Sequence, residues 1–166
     1  MVVFVDMDGV LCDLDGMVGK RADVKPERLL KNREMRRELI INSIRSQGLR
    51  HWTELHPMNK YDWVKRFRTW TAWGHRVEIL TSYGIDFSPL HVEGYGKLGR
   101  YELEALAHMG KAQWLEKHYG DQRRGMSLKT FNGVGNCGGK ARFARHETLL
   151  LDDQPENVEE FRRMGG

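Results

Sequence analysis

A chain of 166 residues, 40% hydrophobic and 30% charged, has the length of one domain with room for a small insertion. No apolar run approaches membrane-spanning length, and Asp6 and Asp8 cut the apolar start short, so neither a membrane span nor a secretory signal is expected. The net charge of +4 suits an anionic substrate but is spread along the chain, which does not by itself argue for nucleic acid. Cys12 and Cys137 match no metal-ligand spacing and read as reduced thiols of a cytoplasmic protein. The histidines show no pair at zinc-binding helical spacing.

The first element is VVFVDMDGV, a buried strand running straight into Asp6, Asp8 and Gly9. A loop is expected next, followed by one long charged helix from Pro26 to a stop at Gly48, with a partial apolar face of Leu29, Leu30, Leu39, Ile40 and Ile44. HWTELHPMNK reads as a connector. KYDWVKRFRTWTAWG carries Trp63, Phe67 and Trp70 at helical spacing, a core stripe rather than a base-stacking platform. HRVEILTS is a second buried strand ending in Thr81 and Ser82, and after a glycine-containing loop YELEALAHMGKAQWLEKHYG forms a helix stopping at Gly120. SLKTFN is a third strand and NGVGNCGGK a glycine-rich stretch without P-loop spacing. KARFAR is a short helical turn, ETLLLDD a strand running into Asp152 and Asp153, and QPENVEEFRRM a closing helix begun by Pro155. Strands separated by helices indicate an α/β fold with a mostly parallel sheet.

Strands of such a sheet deliver their functional groups at one edge. Asp6, Asp8, Asp152 and Asp153 converging there would repel without a cation, and hard oxygen ligands at an open site favour Mg²⁺. Hydroxyls of Thr81 or Ser82 and a lysine ammonium would complete a cradle for a phosphoryl group. The alternative for each hydroxyl is a strand-end group capping a turn.

The strings DMDGVLCD, ILTS, the lysine in GGKARFA and LLLDD occur in the order of the haloacid dehalogenase-like (HAD) phosphohydrolase superfamily, which the chain resembles over nearly its whole length. WTELHPM, KAQWLEKHYG and LLLDDQPENV are most similar to the 5′(3′)-deoxyribonucleotidase family and its phage and bacterial relatives. The resemblance implies a HAD-like Rossmannoid three-layer fold, with residues 1–16 and 60–166 as catalytic core and residues 17–59 as a small helical cap inserted after the first strand. It implies Asp6 as nucleophile forming an aspartyl-phosphate and Asp8 as the general acid and base. Mg²⁺ would be held by Asp6, the Asp8 main-chain carbonyl and Asp153, with Asp152 supporting Asp153. Thr81 and Ser82 would bind phosphoryl oxygens, and Lys140, or its rival Lys111, would neutralise the phosphate.

Leu14 stands where these deoxyribonucleotidases carry a phenylalanine that stacks on the base, which weakens the aromatic sandwich; Trp52 is the candidate for the remaining wall, against a plain core role. The superfamily continues into another strand after the closing helix. The LLLDD strand is therefore expected to lie at a sheet edge, where a second copy could pair as a homodimer, unless further residues follow Gly166. The leading expectation is a Mg²⁺-dependent phosphomonoesterase for nucleoside monophosphates. A polynucleotide 3′-phosphatase, a sugar-phosphate phosphatase or mutase, and a catalytically silent nucleotide-binding module are the alternatives.

Overall fold

The computed structural model describes residues 1–58, 62–83, 89–120, 126–131 and 139–166. Cys137 and most of the glycine-rich stretch lie outside the described residues. In chain order the elements are β1 (Val2–Val5), α1 (Leu14–Ala22), α2 (Pro26–Lys31), α3 (Arg33–Gln47), α4 (Arg50–Thr53), α5 (Trp63–Ala72) and β2 (Arg76–Ser82). There follow β3 (Leu90–Val92), β4 (Gly96–Leu98), α6 (Arg100–Tyr119), β5 (Met126–Phe131), a 3-10 turn at Gly139–Phe143, β6 (Thr148–Leu151) and α7 (Pro155–Arg163).

The protein is α/β. Its main sheet has the order β5-β2-β1-β6, and every pairing in it is parallel. Phe4 stands level with Glu78 and with Leu150, and this face carries a core cluster of Phe4, Leu80, Phe131, Leu150 and Phe161 of α7. Val3, Val5, Val77 and Ile79 point to the other face and are equally buried, so β1 and β2 are covered on both faces, as their unbroken apolar runs require, whereas Leu149 of β6 is exposed on that second face. Glu78 is the exception within these runs. It is buried on β2, with its carboxylate 2.6 Å from Arg76 and 2.7 Å from Lys129, so its charge is matched by cations reaching in from the surface. On α5, Trp63 and Phe67 are buried and stacked at 5.7 Å, as core residues, and the half-buried Trp70 packs against both rings.

Four features depart from the sequence expectation. The loop expected after the first strand contains α1, started by the Asp13 carboxylate accepting from Gly16 N–H at 2.8 Å. The single helix expected over 26–48 is two, because Asn32 leaves helical geometry (φ −131°, ψ 89°) and its side chain caps Met35 N–H at 3.0 Å. The connector includes the short helix α4, and the stretch read as a loop holds the antiparallel pair β3–β4.

The chain forms two compact units, Met1–Cys12 with Pro57–Gly84 and Leu115–Gly166, and Asp13–His56 with Ile85–Trp114. The second differs from the expected 17–59 insertion by taking in β3, β4 and most of α6. The cause is packing inside that unit. Glu93 N–H donates to the Arg45 carbonyl at 2.8 Å, the Trp114 indole donates to the Leu55 carbonyl at 2.7 Å, and a methyl on Gly110 would stand 2.8 Å from Trp52 Cβ. Among the described residues no helix is long and apolar enough to cross a membrane.

Candidate active site

In a parallel sheet the strand ends share an edge, and β2, β1 and β6 are neighbours. Ser82 therefore closes one strand beside Asp6, which directly follows β1, and Asp152, which directly follows β6. Asp6 N–H donates to the Leu151 carbonyl at 2.9 Å, which carries the strand pairing up to the acid itself. The Asp6 carboxylate turns back and accepts from Met7 N–H at 2.8 Å.

Beyond Asp6 the chain folds into a tight loop. Leu11 N–H and Cys12 N–H both donate to the Met7 carbonyl, at 2.9 and 3.0 Å, and Gly9 N–H donates to the Cys12 carbonyl at 2.8 Å. Gly9 has φ +84°, and a side chain there would overlap the Asp153 carboxylate. Only glycine allows this turn to lie so close to the last acid.

Lys140, from the 3-10 turn, reaches the acids. Its ammonium is buried, 2.7 Å from Asp6 Oδ2 and in a short ion pair with Asp152 Oδ2. Burial alone would lower the lysine, but the charges of Asp6 and Asp152 outweigh it and the net shift is upward, so Lys140 stays charged. Asp6 moves the opposite way from an ordinary paired carboxylate. Burial, together with the negative charges of Asp152 and Asp8, overcomes Lys140 and raises it to about 7.

The acids of the last pair differ. Asp152 is buried, and Gln154 N–H at 2.8 Å, the Asn157 amide at 3.1 Å to each oxygen, and Lys140 all donate to it. Asp153 is exposed and accepts from the Gln154 side chain at 3.0 Å. Carboxylate oxygens of Asp6, Asp152 and Asp153 lie within 4.8 Å of one another. This donor set is all hard oxygen and carries more negative charge than the one lysine offsets, which fits a hard divalent cation. Of the last pair, Asp153 is the better placed to hold one, because Asp152 is already engaged by donors on both oxygens. A cleft of about 370 Å³ opens beside Asp152 and Asp153, walled by Gly9, Val10, Met58 and Arg66 among others.

Thr81 is fully buried at the end of β2, and Ser82 is half-buried beside it. Lys111, Leu14 and Trp52 belong to the second unit and are buried there. Trp52 is 3% exposed, beside His51 at 4.9 Å between ring centroids, which leaves little of its ring for a ligand. Sequence reasoning missed Asn157 and Gln154. The signal was present: Pro155 fixes a helix start, and Asn157 then falls in the first turn, five residues from Asp152. Cys12, read from the sequence as a plain reduced thiol, has its buried sulfur 3.6 Å from Asp8 Oδ1. No protein-family model matches the chain and no curated protein matches it in sequence, so a functional assignment rests on motif and geometry.

Proposed function

We propose that the protein is a Mg²⁺-dependent phosphomonoesterase of the HAD type, acting on nucleoside monophosphates in the manner of a 5′(3′)-deoxyribonucleotidase. The observation that carries this reading is the buried Asp6–Lys140–Asp152 chain at the carboxyl edge of the parallel sheet, with Asp153 alongside. Asp6 and Asp153 would hold the metal, with Asp152 anchoring Lys140. When bound, the cation would offset the charge of the phosphoryl group and of the acids around it.

An Asp6 oxygen attacks phosphorus, and the ester P–O bond breaks with its electron pair going to the leaving oxygen. A proton from the Asp8 carboxyl passes to that oxygen. Asp8, now a carboxylate, takes a proton from water as the water oxygen attacks the phosphorus of the aspartyl-phosphate, which releases phosphate and restores Asp6. Lys140 neutralises the phosphoryl group throughout, and the Thr81 and Ser82 hydroxyls at the end of β2 are the donors proposed for its oxygens. The basic arginines and lysines of α2 and α3 keep a polynucleotide 3′-phosphatase as the second reading.

The test uses the full chain with Mg²⁺ and an aryl phosphate, then nucleoside monophosphates, sugar phosphates and 3′-phosphorylated oligonucleotides. Hydrolysis that stops on chelation, and that falls by about a thousandfold or more in Asp6→Asn while the fold persists, is the expected result. A fully active Asp6→Asn protein overturns the mechanism. Steep loss of activity with salt would select the polynucleotide substrate, because such a chain makes many phosphate contacts.

A further inference from the structure

Cys12 lies against Asp8 and has no role in the reaction proposed above. Its place is fixed: Cys12 N–H bonds the Met7 carbonyl, its carbonyl accepts from Gly9, and its backbone bridges Asp8 on one side and Pro57 on the other. The side chain is fully buried. Its sulfur stands 3.4 Å from the Met7 carbonyl oxygen and 3.6 Å from Asp8 Oδ1. A carbonyl and a carboxylate oxygen are acceptors, and both lie within reach of the single thiol proton.

We infer that Cys12 is a positioning residue for Asp8: its thiol engages Oδ1, so that the transferable proton of the acid is carried on Oδ2. A protonated carboxyl has one hydroxyl oxygen and one carbonyl oxygen, and the oxygen that accepts from the thiol is held as the carbonyl one. This biases the rotamer of Asp8 and the atom that hands its proton to the leaving oxygen. A thiol is a weak donor, so the effect is a bias of geometry worth a few-fold in rate. Alanine would fill much of the same buried space without a donor, whereas serine would keep one. The inference rests on Asp8 acting as the proton donor proposed above.

The experiment compares kcat/KM on p-nitrophenyl phosphate, whose leaving group needs little protonation, with that on an alkyl phosphate, whose leaving group needs it fully. This parameter ends at departure of the leaving group, so the later hydrolysis of the aspartyl-phosphate, common to both substrates, drops out. In Cys12→Ala the alkyl-to-aryl ratio is expected to fall about fivefold, the worth of one modest hydrogen bond. Cys12→Ser should restore the ratio. If alanine unfolds the chain, Cys12→Val, which fills the volume without a donor, takes its place. An unchanged ratio overturns the inference, and so does a serine variant no better than the donor-free one. A wild-type chain inactive on both substrates instead overturns the phosphatase reading, and this inference with it.

Discussion

A polar network of the second unit and the acid cluster of the first are built in opposite ways. In the second, Glu54 pairs with Arg21 at 3.1 Å and with Arg50 at 2.7 Å, Arg21 donates to Ser43 Oγ at 2.9 Å, and Ser43 in turn lies 2.9 Å from His51 Nδ1. Donors and acceptors alternate along that chain, and its acid is met by two cations. In the first unit three carboxylates gather around one lysine. An acid fully met by cations holds helices together and asks for nothing more, whereas acids in excess of the nearby cations are stable only at a cost and are where a cation gains most.

Substitution at the centre of each network separates the two kinds. Lys140→Met strands Asp6 and Asp152 in a buried site, and thermal or urea unfolding should show a loss of roughly 3–5 kcal/mol. Hydrolysis should fall by about a hundredfold or more, as when a phosphoryl-stabilising donor is lost. Ser43→Ala breaks the Arg21–His51 link, and the same unfolding measurement should show about 1–2 kcal/mol. Its turnover should stay within about twofold of wild type, because a lost structural hydrogen bond away from the reacting groups changes stability before rate. If Ser43→Ala cost more activity than Lys140→Met, the contrast between the units would collapse.

The smallest effect is on pH dependence. Asp6 titrates near 7 in the folded chain against 3.8 for the free group, so between those values the folded state holds a proton that the unfolded chain has released. Metal-free stability should therefore fall as pH rises from about 4 to 7 and then level off. In Asp6→Asn that slope should flatten, which a series of melting temperatures across this range would detect. A metal-free melting temperature that climbs through the same interval with Asp6 intact would contradict the charge imbalance.

What the sequence made legible was the part written in strands. Apolar runs that end in acids or hydroxyls mark Asp6, Thr81 and the Asp152–Asp153 pair, because a parallel strand covered on both faces has a distinctive composition and one functional end. It could not rank Asp152 against Asp153. Their difference is burial and donor count, supplied by Lys140, Gln154 and Asn157, which meet the acid only in three dimensions. Nor was α1 legible. Gly16 and Gly19 dilute its helical signal, yet both are needed there, since a side chain at Gly16 would strike the Asp13 cap and one at Gly19 the Val24 carbonyl. The break at Asn32 was hidden for the opposite reason: helix-forming residues on both sides masked a single side chain able to end one helix and begin the next.

The engagement of Asp152 has a consequence for timing. In the proposed reaction Asp6 would lose its carboxylate charge on becoming an acyl phosphate, and a lysine held by Asp6 alone would then have only the phosphoryl group to hold it in place. Asp152, gripped by Asn157 and the Gln154 backbone, would keep hold of it through both half-reactions. In that reaction Lys140 would exchange its bond to Asp6 for one to a phosphoryl oxygen while staying tied to Asp152.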